Sequence, residues 1–242
     1  MHLAATLVDF VLPPCCAACG RFCSVDGLCR ACREEFVPLR SPLCCRCGIG
    51  FSGPGADHAC GACTAAPPHF DRARAAFGYD AIAQRRKPLA VLLHRYKYGR
   101  DVTLAPLFAR LLLESPPLAP EHDLIVPVPL HVRRLRWRGF NQALLLARLV
   151  APSWKAAVDP FALERTRETV TQVGLDDEAR RANLRGAFRL RPGHLLRGRR
   201  VLLVDDVLTT GATADECARV LKQAGAERVD VLALARALMR HH

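Results

Sequence analysis

The chain has 242 residues, half of them hydrophobic, and a formal net charge of +12 at pH 7. This length and apolar content suit a modest domain with a smaller one attached and exclude a chain too polar to bury a core. Eleven of the twelve cysteines lie between Cys15 and Cys63, so residues 1–66 are expected to form one unit and residues 67–242 another, with the boundary near Pro67-Pro68.

Residues 1–70 hold equal numbers of arginines and carboxylates, so the positive excess sits entirely in residues 71–242. Such a surface suits a polyanionic partner, and also suits a plain solvated face. Met1 to Leu12 reads as an amphipathic helix with Leu3, Leu7, Val8 and Val11 on one face, stopped by Pro13-Pro14. It lacks a basic start, carries Asp9, and is too short to span a bilayer, so neither an export signal nor membrane insertion is expected. The expectation is a cytoplasmic protein, where CxxC pairs bind metal in preference to forming disulfides.

Four CxxC pairs follow: Cys16 with Cys19, Cys29 with Cys32, Cys44 with Cys47, and Cys60 with Cys63. Each turn brings two thiolates to one ion, and two turns complete the tetrahedral site of a structural zinc, so two zinc ions are expected. Consecutive pairing would give two stacked ribbons and alternate pairing a cross-braced module; spacing does not choose between them. Bound zinc would leave the first segment negative by about four charges, so that a polyanion would meet the second segment instead. Cys15, Cys23 and Cys45 are spare, Cys217 lies on an apolar helical stripe, and His58 and His69 read as solvated loop residues.

From Asp71 onward strands and helices alternate. Strands are expected at Ala75 to Tyr79, Leu124 to Val128, Val201 to Val204 and Val229 to Ala235. Helices are expected at Pro88 to Tyr96, Leu104 to Leu113, Asn141 to Val150 and Asp176 to Leu184. This order predicts an α/β fold, a parallel sheet with helices on both faces and ligands at the carboxyl ends of its strands. Two stretches combine basic and aromatic residues: Tyr96, Lys97 and Tyr98 in one, and Arg133, Arg134, Arg136, Trp137 and Arg138 in the other. Guanidinium groups track phosphates and ring faces stack bases, so both stretches suit single-stranded nucleic acid; the cations would equally serve a pyrophosphate, and the rings would equally serve as core anchors. Arg165, Thr169, Thr171 and Gln172 form a polar segment suited to a lid.

The most informative stretch is VLLVDDVLTTGAT, Val201 to Thr213. An apolar strand ends in Asp205 and Asp206, and a turn rich in hydroxyls leads into a helix expected from about Thr213 to Ala224. Such a turn aims N–H groups and a helix N-terminus at one point, a cradle for phosphate. Carboxylates beside it suit vicinal hydroxyls, the combination that a ribose phosphate presents. The nucleotide-hydrolase loop GxxxxGK[ST] is absent, because no lysine follows a glycine.

The stretch resembles the signature of the type I phosphoribosyltransferases. The resemblance implies that Asp205 and Asp206 hold the ribose of 5-phosphoribosyl 1-pyrophosphate (PRPP), that Thr209, Thr210, Gly211, Ala212 and Thr213 hold its 5-phosphate, and that Mg²⁺ accompanies the pyrophosphate. The opening helix, the CxxC knuckles, KYG, RGFNQ, the TxTQ segment, RxNLRGAF and VLLVDDVLTTGAT, in this order, resemble the ComF family. That likeness implies a zinc-ribbon module joined to a phosphoribosyltransferase-like domain, single-stranded DNA as partner, and a part in the uptake of transforming DNA. Two other classes fit the same residues: an active phosphoribosyltransferase of nucleotide metabolism without a DNA role, and an adaptor whose zinc module docks a protein such as a DNA-uptake helicase. No residue declares itself as a catalytic base.

Overall fold

The computed structural model describes residues 14–23, 27–80, 87–116, 118, 121–168 and 183–238. The expected helix at Met1 to Leu12, most of that at Asp176 to Leu184, and Thr169, Thr171 and Gln172 lie outside these residues. In the cysteine-rich part, helix α1 (Arg30–Glu34) opens directly after Cys29 and helix α2 (Gly61–Ala65) directly after Cys60, with strand β1 (Val37–Pro38) between them. Then follow β2 (Arg72–Tyr79), α3 (Pro88–Tyr98), a 3₁₀ turn (Val102–Leu104), α4 (Ala105–Leu112), β3 (Leu124–Pro127) and α5 (Val132–Arg138). The remainder is α6 (Gln142–Trp154), β4 (Ala157–Val158), β5 (Leu163–Arg165), β6 (Phe188–Leu190), β7 (Arg200–Leu208), α7 (Ala212–Gln223) and β8 (Arg228–Ala237).

Among the described residues the main sheet has six strands in the order β1-β2-β8-β7-β3-β4, parallel except for the antiparallel edge strand β1. Strands β5 and β6 make a separate antiparallel pair. Strand β7 is central because both of its faces are apolar. Leu202 and Val204 pack toward the helices α3, α4 and α6, and Val201 and Leu203 toward α7. The second ribbon shares the latter face: Cys44, Cys47, Cys63 and Phe70 belong to one core with Val201, Leu203, Cys217 and Leu221.

Helix α3 forms because Pro88 occupies its first turn and Leu89, Leu92, Leu93 and Tyr96 recur at helical spacing on its buried side. Tyr96 is fully buried, meets Phe108 of α4 edge-on at 5.0 Å, and donates its hydroxyl to Gln142 O at 3.0 Å. Asn141 starts α6: its Oδ1 accepts from the N–H groups of Ala143 (2.9 Å) and Leu144 (3.3 Å), and its Nδ2 donates to Val128 O at 3.1 Å. One side chain thus caps a helix and ties it to the end of β3.

Among the elements that differ from the sequence pattern, three have a clear physical cause. Helix α6 continues past Val150 to Trp154, because Pro152 falls in the last turn and its missing N–H costs only one bond. Helix α5 has no apolar stripe to reveal it; Val132, Leu135 and Trp137 stay exposed, and the helix is held by its ends. His131 accepts from Arg133 N–H at its start, and Gly139, at φ 85°, closes it in the left-handed conformation. Strand β7 runs through the acidic pair to Leu208, with Asp205 opposite Ala233 and Val207 opposite Ala235 of β8. Asn141→Ala is expected to lower the stability of the folded protein by about 1–2 kcal/mol, read from urea unfolding, since it removes the cap and leaves Val128 O without that donor.

Candidate functional site

Zinc chemistry explains the cysteine positions. The sulfur atoms of Cys16, Cys19, Cys29 and Cys32 lie within 4.8 Å of one another, and so do those of Cys44, Cys47, Cys60 and Cys63, so consecutive knuckles pair. Cys19 and Cys29 sulfurs are 3.7 Å apart and those of Cys47 and Cys60 are 3.8 Å apart. A tetrahedron of thiolates around zinc has an edge of about 3.8 Å, so both sets fit the ion and support structural zinc. Arg21 Nε reaches Cys19 Sγ at 3.5 Å and helps hold that thiol at about pKa 6. Burial raises the Cys44 thiol, but the N–H groups of Cys60, Cys47 and Arg46 outweigh it and bring the value to about 6. Cys15, Cys23 and Cys45 stay outside both sets, and Cys217 is buried in the core. His58 stacks on Phe51 at 4.0 Å. His69 is exposed, as expected of a loop residue, and also pairs with Asp215 in the first turn of α7 at 3.0 Å.

A second centre lies at the carboxyl end of β7. Asp205 is 8% exposed and Asp206 2%. Backbone groups fix their orientation: Asp206 N–H donates to Asp205 Oδ1 (2.8 Å) and Val207 N–H to Asp206 Oδ1 (2.9 Å). Lys97 Nζ, from the last turn of α3, sits 3.0 Å from Asp206 Oδ2. Burial disfavours the Lys97 charge, yet Asp206 and Asp205 outweigh it and raise the pKa. Arg138 is buried on the same side, donating to Gln142 Oε1 at 2.7 Å; burial lowers its pKa while the Asp206 charge opposes. Asp205 lies toward Cys217 and Arg165, and burial, then the Asp206 charge, pushes its carboxyl up to about 8.

Beyond the pair the backbone turns at Gly211, at φ 85°, a conformation that a side chain would strain. Thr210 Oγ1 accepts from Ala212 N–H at 3.3 Å. Helix α7 begins at Ala212, one residue before the position expected from the sequence, and its first-turn N–H groups lack partners within the helix. Thr209 is exposed, whereas Thr210 and Thr213 are half-buried. The connection from the ribbons closes on this turn: the Phe70 ring lies against Gly211, and His69 N–H donates to Asp215 Oδ1 at 2.6 Å.

The basic-aromatic stretches, some forty residues apart in sequence, meet beside this centre. Tyr98 and Trp137 are 55% and 51% exposed with ring centroids 6.3 Å apart. Arg138 lies over Tyr98 at 5.7 Å and Arg100 over Trp137 at 5.4 Å. Arg133 and Arg136 are exposed on α5, Arg134 is half-buried, and Arg133 pairs with Glu168 at 3.1 Å. Of the basic residues named from sequence, Lys97 and Arg138 therefore face the carboxylates, and Arg133 and Arg136 face solvent. Sequence reasoning assigned no ligand role to Arg100; Arg165, which it placed in a candidate lid, stacks on Phe188 at 5.3 Å with its charge near Asp205. A basic residue directly after the KYG turn was the available signal for Arg100. The arrangement offers hydroxyl acceptors, a helix-start anion cradle and two facing cations in one place, with exposed rings at its rim.

Residues 7–64 match a family profile described as a double zinc ribbon domain, and residues 153–240 one described as a phosphoribosyl transferase domain. The chain is 37% identical over 218 residues to the DNA utilization protein YhgH of Salmonella typhi, covering 88% of this chain and 91% of that one. It is 34% identical over 219 residues to Competence protein F of Haemophilus influenzae, with the same coverages. It is 31% identical over 158 residues to Competence protein ComFC of Streptococcus pneumoniae, covering 65% of this chain and 68% of that one. No described helix is long and apolar enough to cross a membrane.

Metal analysis of the purified chain should return two zinc ions, and Cys16→Ser and Cys44→Ser should each lower the content by one. A second expectation concerns pH. The unfolded Asp205 carboxyl ionises near pH 4 but the folded one only near pH 8, so its burial adds nothing unfavourable below pH 4 and lowers stability progressively as pH rises through that window. Asp205→Asn should flatten this decline and stabilise the ligand-free protein at pH 8 by on the order of 2 kcal/mol or more, measured by urea unfolding at pH 5 and pH 8.

Proposed function

The chain belongs to the ComF family of competence proteins, and on that premise we propose that it binds PRPP at the β7 turn and single-stranded DNA on the adjoining basic and aromatic surface, in support of DNA uptake during natural transformation. One observation carries the reading. Consecutive residues of α3 serve both halves: Lys97 meets Asp206 at 3.0 Å, and Tyr98 stands exposed beside Trp137. A phosphoribosyl group at the β7 turn would therefore lie next to a surface able to stack bases.

In this reading Asp205 and Asp206 accept hydrogen bonds from the ribose hydroxyls, and the Thr209 to Thr213 turn takes the 5-phosphate with its N–H groups and hydroxyls. Lys97 and Arg138 receive the pyrophosphate. With the pyrophosphate held by Lys97 and Arg138, accompanying Mg²⁺ would supply further charge neutralisation. Ligand entry exchanges the Lys97–Asp206 ion pair for two separate contacts: hydroxyls on the carboxylate, and phosphate on the ammonium. Arg133, Arg134 and Arg136 line the path of a DNA backbone, and Trp137 with Tyr98 offers ring faces. The Competence protein F and ComFC relatives support the competence role, the YhgH relative, a DNA utilization protein, supports a DNA partner, and a cytoplasmic setting, with a DNA-uptake helicase as a further partner, accords with both.

PRPP with Mg²⁺ should raise the melting temperature, and Asp206→Asn should abolish most of that rise while the protein stays folded. An unchanged melting temperature at millimolar PRPP would remove the ligand half of the proposal. For DNA, log affinity should fall with log salt by about 0.7 per phosphate contact, and Arg136→Ala should make that slope shallower. Trp137→Ala should weaken single-strand binding by about 1–3 kcal/mol without altering the slope. Equal affinity for single and double strands would mark the basic stretch as a solvated face.

A further inference from the structure

At the amino end of the parallel sheet, opposite the β7 turn, the chain carries a row of guanidinium groups that neither the zinc sites nor the acidic pair uses. Strands β2, β8 and β7 lie side by side; Arg72 opens β2, Arg228 opens β8, and Arg199 stands directly before β7. Between the starts of β2 and β8 and the second ribbon lies a cavity of about 430 Å³, lined by Cys45, Arg46, Asp71, Arg72, Glu227 and Arg228. Backbone bonds build this end. Ala73 N–H donates to Arg46 O at 2.6 Å, which holds the Cys44 to Cys47 knuckle against β2 and brings Arg46 beside Arg72. Glu227 N–H donates to Arg199 O at 2.9 Å, which ties Arg199 to the start of β8. Cys44 and Cys47 are buried in the core beneath, whereas Arg46 and Arg199 are exposed and Arg72 is half-buried.

The acids at this end are mostly engaged within the protein. Asp71 accepts Val229 N–H at 2.8 Å and pairs with Lys222 at 2.7 Å. Asp230 meets Arg228 Nε at 2.9 Å and His122 at 3.0 Å, and Asp123 meets Arg200 at 3.0 Å. Arg46, Arg72 and Arg199 make no ion pair among the described residues, and Glu227 is the one lining carboxylate in the same state. The free guanidiniums form a row. Neighbouring strands are about 4.8 Å apart, so the starts of β2, β8 and β7 span about 10 Å. A compact anion would engage one or two of these groups, while a chain of phosphates can engage them all. None of the lining residues is aromatic, so the contacts offered are to phosphate and carry no base information.

We infer that the amino end of the sheet is a second nucleic-acid site, which takes the sugar-phosphate backbone of single or double strands through Arg46, Arg72 and Arg199 whatever the sequence. It is separate from the surface around Trp137. Arg200 and Asp206 are the two ends of a stretch of β7 roughly 20 Å long, so PRPP and base stacking at the carboxyl end take no part in it. A long strand is thereby held at two places on one chain, and the link between them raises its affinity through effective concentration.

The test uses the full zinc-loaded chain and a fluorescent oligothymidylate, with binding read by anisotropy over a series of salt concentrations. Arg46→Gln combined with Arg199→Gln should make the slope of log affinity against log salt shallower by about 1.4, two contacts at about 0.7 each. Lysine at both positions should restore it. The change should add to that of Arg136→Ala, because the two surfaces are far apart, and should recur with duplexes of unrelated sequence. A slope that responds to Arg46 and Arg199 but not to Arg136 supports this site while removing the Trp137 surface. Should the double variant lose its zinc, the wild-type protein decides: with nitrogen-15 labelled arginine, the Nε–H signals of Arg46 and Arg72 should move with oligothymidylate and stay in place with PRPP. An unchanged slope in the folded double variant, or signals that ignore the oligonucleotide, would overturn the inference. Signals that move as far with inorganic phosphate at equal phosphate concentration would reduce the site to a small-anion pocket. Signals that move only with vesicles of anionic phospholipid would assign the row to lipid headgroups, and either result would equally overturn it.

Discussion

Two carboxylates side by side in the central strand of a buried sheet are the constraint around which the second half of the chain is arranged. Neither can be left charged in an apolar core without help. Each is therefore given different company: Asp206 has Lys97 within ion-pair distance and Arg138 nearby, and Asp205, facing α7, is held largely protonated by burial and by its neighbour's charge. The helix that supplies Lys97 is fixed by its own buried stripe, and the Tyr96 hydroxyl locks it to the start of α6. Asn141 in turn ties that start to the strand beside β7. Packing on one face of the sheet thus serves to set one ammonium against one carboxylate.

The opposite face has a different solution. There the second ribbon is packed into the same core as α7, and the two residues of β1 pair with Phe77 and Gly78 on the outer edge of β2. The segment that leaves this ribbon lies against the turn before α7 through Phe70 and is pinned to α7 through His69 and Asp215. A zinc-bound ribbon is a rigid object, because the metal replaces the apolar core that so few residues cannot build. Placing it here stiffens the turn that the proposed ligand's phosphate would occupy. The first ribbon instead contacts the sheet's helical face, where Arg95 donates to Ala17 O and pairs with Asp101.

Stability and binding pull against each other at this site. A pair of acids and facing cations is weak evidence for stability, since desolvation offsets most of the attraction. In the proposed reading its value is in what it presents to a ligand: carboxylate acceptors for hydroxyls, already oriented by the Asp206 and Val207 N–H groups, and cationic donors for phosphate. The cost is visible in the raised Asp205 pKa.

Much of this was legible along the chain, and the limits have a common cause. The sequence by itself determined the eight thiolates, the strand, turn and helix around Asp205 and Asp206, the apolar stripe of α3 and the parallel α/β order. Those features are written in spacings of a few residues, and local geometry follows from local period. It missed α5, whose arginines show no stripe, and it ended β7 too early because acidic residues resemble the end of a buried strand when their partners are unknown. Only the tertiary structure decided that consecutive knuckles share a metal site, that Lys97 faces Asp206 across more than a hundred residues, and that Tyr98 meets Trp137. It also decided that Arg236 is buried with its Nε and Nη1 lacking an acceptor among the described residues. These pairings depend on which strands lie side by side and which helix covers them. That choice is made by the burial of whole faces, so no spacing within a single segment records it.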